Sequence, residues 1–280
     1  LDTWTLFREG EKSLKEKCLP SLERDLDRIE TGDILVADGH TLNFELMNPL
    51  TGKPKRMNLI LFYDFKSNWP LGWEISTTEN TEAIAVAMRR AILNLGKLPK
   101  IAYLDNGKAF RGRFFSAVTD FRQEAVSGVF ERLGIHPIYA WPYNARSKTV
   151  ERFWGTFSEF ERRAFSFTGT SVKDKPPRLQ RNEKLHRALH QHLTRGNVPT
   201  VEEAYRAIST WIETEYGNRP QRGHMDGRTP LDVFKEGRGP GFSAEQEASL
   251  RILMAAQQIR RIGRDGIKLP GSDVKYYHPD

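Results

Sequence analysis

A change in hydrophobic period near residue 31 limits what this chain can fold into more than any other feature of the sequence. Residues 1 to 30 repeat apolar side chains at helical spacing among many charges, which predicts a helical lead-in. Three β-rich runs follow, separated by short stretches of turn-forming residues, at 34–38, 57–65 and 71–76. Short links of this kind favour an antiparallel meander.

Helices alternate with strands after the meander. Apolar residues line one side of a helix predicted over 81–95, and Asn80 before it is a typical N-cap. The pattern then predicts a strand ending at Asp105, a helix over 121–133, a strand over 135–141 and a helix over 149–164. The order β β β α β α β α predicts an α/β fold with a mixed five-stranded sheet flanked by helices, because parallel strands require crossover connections.

Four regions follow from these patterns along the chain. They are a helical lead-in (1–30), an α/β core (31–165), a helical extension (166–240), and a linker helix with the truncated start of a small β-barrel (241–280). Within the last two regions, helical patterns cover 181–194, 200–216 and 243–257. The chain begins at Leu1 rather than Met, so we read it as part of a longer protein.

Composition excludes several classes of protein. No apolar run approaches the length of about 18 residues that indicates a membrane span, and no cationic leader marks secretion. Cys18 is the only cysteine, so an internal disulfide and a thiolate metal cluster are both excluded. These features fit a reducing location inside the cell, which we take to be the cytoplasm.

Charge is concentrated in one segment. The whole chain carries a formal charge of +7, and residues 144 to 195 contain 12 Lys and Arg against five acids. Such a basic segment is the electrostatic pattern of a nucleic-acid-binding protein. A solvated helical surface is the alternative interpretation for a run of charges without other support.

Three acidic residues occupy separate segments at points where a structural element ends or begins: Asp38, Asp105 and Glu151. Asp38 and Asp105 each end a predicted strand, and ligands of open α/β sheets bind at the carboxyl ends of strands. Glu151 lies in the first turn of a helix, beside its buried stripe. Carboxylate oxygens are the ligands that Mg²⁺ prefers, so three converging acids could hold two such ions.

Each acid also has a structural interpretation, and Asp38 and Glu151 have rivals. Asp38 and Asp105 precede turn residues, whereas Glu151 suits the positive end of a helix dipole. Asp33 and Asp64 are alternatives to Asp38, and Glu159 and Glu161 are alternatives to Glu151 on the same helix. His40 fits an ordinary polar strand position, with a contact to the site as the alternative, and Trp154 fits core packing.

Several tracts resemble a known family. The Asp-Asn-Gly turn at Asp105, the run KTVERFWGTF around Glu151 and the later run TEYGNRPQRGHMDGRTPLDVF are similar to those of DDE transposases and retroviral-type integrases. Within that superfamily the closest likeness is to the bacteriophage Mu transposase group. Gln221 stands where the related tract usually has His.

The resemblance implies a ribonuclease H-like catalytic core over 31–165 and a metal triad of Asp38, Asp105 and Glu151. It implies two Mg²⁺ ions, which Mn²⁺ can replace, and an enzyme that cleaves the 3′ ends of a mobile element and joins them to target DNA. DNA-contacting residues are then expected beside the triad, at Asn106, Lys108, Arg146, Lys148 and Arg152.

The resemblance further implies double-stranded DNA as partner, both element ends and target, and a homo-oligomer assembled on it. A target-selecting ATPase partner and a bacterial or phage-encoded protein at the nucleoid belong to the same expectation. Two alternatives remain open, a ribonuclease H-like nuclease without strand transfer and a non-catalytic DNA-binding regulator of transposition.

Overall fold

The computed structural model describes residues 2–18, 26, 28–105, 128–139, 150–169, 198–255, 266–268 and 275–276. The chain divides into two compact units, Leu1–Glu30 and Thr31–Asp280. The first unit contains helix α1 (Asp2–Lys17), which is interrupted at Gly10, where φ is 86°. Glycine tolerates this left-handed backbone without a side-chain clash, so the kink falls there.

The second unit is built on a five-stranded sheet. Its strands are β1 (Ile34–Met47), β2 (Pro54–Asp64), β3 (Pro70–Ser76), β4 (Ile101–Leu104) and β5 (His136–Tyr139). Their order across the sheet is β3-β2-β1-β4-β5. The first three strands pair antiparallel, while β1 with β4 and β4 with β5 pair parallel. The predicted mixed five-stranded sheet is therefore confirmed.

The helices of the second unit that the structure describes are α2 (Thr81–Leu95), α3 (Val129–Arg132), α4 (Val150–Glu161), α5 (Val201–Trp211), α6 (Pro230–Gly237) and α7 (Ala244–Leu253). Helix α5 runs directly into a π-helical turn, Ile212–Tyr216. A single 3-10 turn, Gly223–Met225, precedes α6. Two short strands, β6 (Ile267–Lys268) and β7 (Lys275–Tyr276), pair antiparallel and leave the predicted barrel untested.

Helices α2 and α4 cover opposite faces of the sheet. Helix α2 approaches β3 so closely that a Cβ added at Gly72 would lie 2.3 Å from the backbone N of Ala91. Phe62 pairs with Gly72 and shares its face, whereas the next residue, Tyr63, contacts Phe153 of α4 at 5.9 Å between ring centroids. Successive residues of a strand point to opposite faces, so the sheet is sandwiched between helices.

An aromatic cluster joins α4 to the rest of the unit. Phe153 and Phe157 of α4 are buried and contact Trp211 at the end of α5, with centroid distances of 6.1 and 5.6 Å. Tyr216, at the end of the π-helical turn, packs on Phe153 at 5.0 Å. Burying a large aromatic side chain contributes roughly 1.5–3 kcal/mol, so this cluster fixes α4 on the sheet.

Strand β1 is longer than the sequence pattern predicts. The prediction that the strand ends at Asp38 is wrong, since β1 continues to Met47. Gly39, His40 and Thr41 pair with Ile60, Leu59 and Asn58 of β2. Residues 41–46 alternate polar and apolar side chains, and Leu42, Phe44 and Leu46 are buried. This period-2 pattern is typical of a strand, so the sequence did carry a signal for the continuation of β1.

Other boundaries follow the sequence patterns closely. Helix α2 has the predicted bounds, and the Asn80 side chain accepts a hydrogen bond from the backbone N–H of Ala83 at 2.8 Å. Of the helix predicted over 121–133, the structure describes residues 128–133, and Val129–Arg132 are helical. The pattern at 181–194 lies outside the described residues. Within the described ranges, no helix combines the length and the apolar character needed to cross a membrane.

Candidate functional site

Strands β1 and β4 bring two of the three acids to neighbouring positions. The parallel register sets Ile34 opposite Ile101 and Val36 opposite Tyr103. Continued by two residues, the same register sets Asp105 opposite Asp38. Neighbouring strands lie about 4.8 Å apart, so these two half-buried carboxyl-bearing residues adjoin each other where β4 ends.

A hydrogen bond from α4 holds the carboxylate of Asp38. The indole Nε1–H of Trp154 donates to Asp38 Oδ2 at 2.9 Å. A charged acceptor makes this bond stronger than one between neutral groups. The bond ties Asp38 to the face of the sheet that α4 covers and fixes the orientation of its carboxylate.

Glu151 lies on α4 one turn before Trp154. Residues three apart on a helix share a side, with Cβ atoms about 5–6 Å apart, so Glu151 is on the flank that Trp154 turns toward Asp38. Its side chain is exposed. An exposed glutamate keeps much of its rotamer freedom, and it can therefore turn toward the two aspartates.

The donor set fits a hard divalent cation, because carboxylate oxygens are the ligands such ions prefer. Among the described residues, however, no three His, Cys, Asp or Glu side chains stand close enough together to hold a metal ion. The aspartate positions adjoin through the sheet, whereas Glu151 must still turn inward. A metal held here would take Asp38 and Asp105 from the strands and Glu151 from the helix.

Trp154 is itself supported by a buried polar network. His40, two residues after Asp38 on β1, stacks on Trp154 with ring centroids 4.7 Å apart and planes 20° apart. His40 Nε2 lies 2.9 Å from Glu161 Oε1. Asn43 donates to the same carboxylate from its backbone N–H at 2.8 Å and from its amide Nδ2 at 2.6 Å. The network joins the end of α4 to β1.

The two rivals of Glu151 have other partners. Glu161 is fully buried and receives the hydrogen bonds of His40 and Asn43, so it acts as a tether between elements. Glu159 is exposed and accepts a hydrogen bond from Arg219 at 3.2 Å. A helical step of 100° per residue places Glu159 on a different flank of α4 from Glu151.

The two rivals of Asp38 lie toward the other end of the sheet. Asp33 precedes β1 and pairs with Lys100, which precedes β4, at 2.9 Å. Asp64 is fully buried and accepts hydrogen bonds from the backbone N–H of Gly32 at 2.7 Å and of Ser67 at 2.8 Å. Burial raises the pKa of the Asp64 carboxyl, against the opposing effect of its hydrogen bonds to Ser67. Both acids hold connections near the start of β1.

Of the predicted DNA contacts, the structure describes Arg152 alone. It is exposed in the first turn of α4, next to Glu151, and lines a cavity beside that helix. Asn106, Lys108, Arg146 and Lys148 lie outside the described residues.

Sequence patterns assigned Trp154 to core packing and His40 to an ordinary strand position. Trp154 does pack on Phe153 and Phe157, and it also donates to Asp38. His40 lies on β1 and stacks on Trp154. For each residue, the sequence contained one indication of a place near the site. Trp154 follows Glu151 by one helical turn, and His40 follows Asp38 by two residues on one strand face. The hydrogen bond between Trp154 and Asp38 spans 116 residues, and no local pattern shows it.

No family model and no curated protein matches this chain. Among solved structures, the HTLV-2 integrase catalytic core domain, determined in complex with magnesium in a trimeric form, is 17% identical with a TM-score of 0.41. That match covers 74% of this chain and 98% of the other. The simian T-cell lymphotropic virus intasome, in complex with the PP2A regulatory subunit B56 gamma, is 12% identical with a TM-score of 0.40. It covers 99% of this chain and 81% of the other.

The fold assignment depends on the strand order and directions given above. Those features describe an open, mixed sheet of five strands with helices on both faces.

Proposed function

We propose that this chain is a DDE-type transposase that cleaves DNA at the 3′ ends of a mobile element and joins those ends to target DNA. The supporting observation is the register of β1 and β4, which makes Asp38 and Asp105 neighbours, with α4 bonded to Asp38 through Trp154. The sequence tracts around Asp105 and Glu151, similar to those of the Mu transposase group, favour this reaction over other uses of paired acids.

In this proposal Asp38, Asp105 and Glu151 hold two Mg²⁺ ions, which Mn²⁺ can replace. Two such ions stabilise the attacking and leaving oxygens of a phosphodiester in an in-line displacement. The chain's own task is to position the carboxylates. Trp154 holds one aspartate in place, and the sheet holds the pair at a fixed separation.

The same proposal assigns the substrate and the partners. Double-stranded DNA, as element end and as target, suits the positive charge of the chain, and Arg152 beside Glu151 would contact its backbone. Asn106, Lys108, Arg146 and Lys148 are proposed as further contacts from the sequence alone. A homo-oligomer on DNA, an ATPase partner and a cytoplasmic, nucleoid-associated location complete the proposal.

Nicking of supercoiled plasmid in Mn²⁺ or Mg²⁺ tests the catalytic centre without knowledge of the element ends. We expect nicking by the wild type, and a loss of at least a hundredfold in Asp38→Asn, Asp105→Asn and Glu151→Gln, since each change removes a charged ligand. Glu159→Gln serves as the matched control on α4. Retained nicking in Asp105→Asn, or abolished nicking in folded Glu159→Gln, would contradict the assignment.

Strand transfer requires a second assay with labelled oligonucleotides that carry the terminal sequences of the element. Joined products longer than the substrate support a transposase. Cleavage without joining would instead show a ribonuclease H-like nuclease, and binding without cleavage in either metal would show a regulator.

A further inference from the structure

A basic cavity lies on the flank of α4 turned away from Asp38. Its volume is 340 Å³, and its lining includes Arg152, Thr156, Tyr216, Arg219, Gln221 and Arg222. Two of these residues come from α4, and the others from the segment that follows α5. Arg219, Gln221 and Arg222 belong to the NRPQRG tract. In the sequence, this tract indicates a resemblance to transposases and integrases but no function of its own.

Backbone hydrogen bonds hold the segment that forms the cavity wall. The N–H of Gly217 donates to the carbonyl of Ile212 at 2.8 Å, and the N–H of Leu231 donates to the carbonyl of Gly217 at 3.0 Å. The N–H of Gln221 donates to the carbonyl of Arg228 at 3.0 Å. A wall fixed in this way is ordered before any ligand arrives, which lowers the entropic cost of binding.

The polar groups at the base of the cavity bond to one another. The hydroxyl of Tyr216, a buried residue, donates to the carbonyl of Asn68 at 2.9 Å. Gln221 Oε1 accepts from Asn68 Nδ2 at 2.8 Å. Gln221 therefore fixes the wall, and the positive charge of the cavity comes from its three arginines.

The arginines exceed the acids around this cavity. Glu159 accepts a hydrogen bond from Arg219 at 3.2 Å, and nearby Glu215 is paired with Arg163 at 2.6 Å. Within the described ranges, no acidic side chain pairs with Arg152 or Arg222. His224 is held outside the lining, where its Nε2 donates to the carbonyl of Lys66 at 3.1 Å. Guanidinium groups converging on a concave surface match the geometry of a phosphate.

We infer that this cavity binds a backbone phosphate of DNA, with Arg152, Arg219 and Arg222 as its donors. The inference deepens the proposed function and rests on it for the identity of the polyanion. Glu151 and Arg152 are consecutive residues in the first turn of α4, about 100° apart around a helix that is about 10–12 Å across with its side chains. The phosphate in the cavity is therefore a neighbour of the reacting one and positions the strand.

Fluorescence anisotropy with a labelled double-stranded oligonucleotide in EDTA tests the cavity separately from catalysis. We expect Arg219→Ala/Arg222→Ala to weaken binding at least tenfold near 0.1 M KCl. Each lost phosphate contact should make the slope of log K against log [salt] shallower by about 0.9. Arg206→Ala is the matched control, since this exposed arginine of α5 pairs with Glu202 away from the cavity.

A second variant distinguishes the effect of a charge inside the cavity from the effect of the net charge of the protein. Thr156→Glu places a carboxylate in the lining of the cavity on a half-buried position of α4, and it should weaken DNA binding with little change in thermal stability. Wild-type affinity and salt slope in both cavity variants would overturn the inference, as would an equal loss in Arg206→Ala.

The outcomes for the cavity and for the proposed function are distinct. If the cavity variants lose DNA affinity while Asp38→Asn retains nicking, the metal triad is wrong and the cavity stands. If the cavity variants bind normally while Asp38→Asn loses nicking, the triad stands and the cavity is wrong.

Discussion

Trp154 illustrates how a single residue can have a packing role and a polar role at once. Its ring packs between His40 and the phenylalanines of α4, and its one N–H donates to Asp38. A buried indole N–H needs an acceptor, and a carboxylate is the strongest acceptor a protein offers. Trp154 is therefore a positioning residue for Asp38 in the proposed site.

Trp154→Phe should separate the two roles, because phenylalanine keeps an aromatic ring against His40 and removes the N–H. We expect the plasmid-nicking rate to fall about tenfold, which corresponds to roughly 1.4 kcal/mol of transition-state stabilisation. The Mn²⁺ concentration for half-maximal nicking should rise as well, which a purely structural role would not cause. Nicking and metal dependence both unchanged in a folded variant would contradict the positioning role.

Residue roles were predictable from the sequence where they depend on near neighbours. Asn80 caps α2 through Ala83, three residues away, and the left-handed φ of 73° at Gly96 ends that helix. The burial of Glu161 was not predictable, because its partners Asn43 and His40 lie 118 and 121 residues earlier in the chain. Sequence spacing left Glu151, Glu159 and Glu161 as rivals, and their contacts now distinguish them.

At the scale of elements, alternation of short strands and helices was sufficient to predict the sheet. Antiparallel and parallel pairs follow from the lengths of the connections. The far half of β1 was missed because Asp38 and Gly39 were interpreted as the end of the strand, although residues 41–46 alternate polar and apolar side chains as a strand does. That half carries His40 and Asn43, so the support of the candidate site was missed together with it.

Two glycines test how closely α2 packs on β3. Gly72 of β3 faces the backbone of α2, and Gly155 of α4 is the control in open space. A Cβ at Gly72 would lie 2.3 Å from Ala91 N and 2.6 Å from Ala87 O, whereas a Cβ at Gly155 meets nothing within 4 Å. We expect Gly72→Ala to lower the free energy of unfolding by about 1–3 kcal/mol, because the backbone of α2 must move. Gly155→Ala should raise it by about 0.5–1 kcal/mol, since alanine favours an exposed helix interior.

Urea unfolding followed by circular dichroism measures both changes. The opposite signs matter more than the magnitudes, because a general effect of adding a methyl group would act alike at both positions. Equal stability of Gly72→Ala and the wild type would show that α2 has room to move away from β3.

At the scale of the whole molecule, the arginines of the cavity beside α4 come from two separate parts of the chain. Residues 144 to 195 carry the same formal charge of +7 as the entire chain, so the remaining residues are neutral overall. Arg219 and Arg222 nevertheless lie outside that segment and join Arg152 across the cavity beside α4. Net charge alone would have missed them, because the fold rather than the sequence order brings them together.

Metal binding should couple to the stability of the whole second unit, because its proposed ligands come from β1, the end of β4 and α4. A ligand that binds only the folded state stabilises it by about 2.7 kcal/mol at a hundred times its Kd. For a domain of this size that corresponds to a rise in Tm of about 5–10 °C. We expect Mn²⁺ to raise the Tm of the wild type by this order and EDTA to reverse the rise.

The same melts distinguish the third ligand from its rivals. Asp38→Asn, Asp105→Asn and Glu151→Gln should each lose most of the Mn²⁺-induced rise while keeping a cooperative transition in EDTA. Glu161→Gln should behave in the opposite way. Its Tm in EDTA should fall, because an amide cannot accept from all the donors of Asn43 and His40, at a cost of about 1–3 kcal/mol. Its Mn²⁺-induced rise should persist, since a buried tether takes no part in holding the ion. The opposite result is a folded Glu161→Gln without the Mn²⁺-induced rise in Tm and a Glu151→Gln that keeps it. That result would make Glu161 the third metal ligand in place of Glu151.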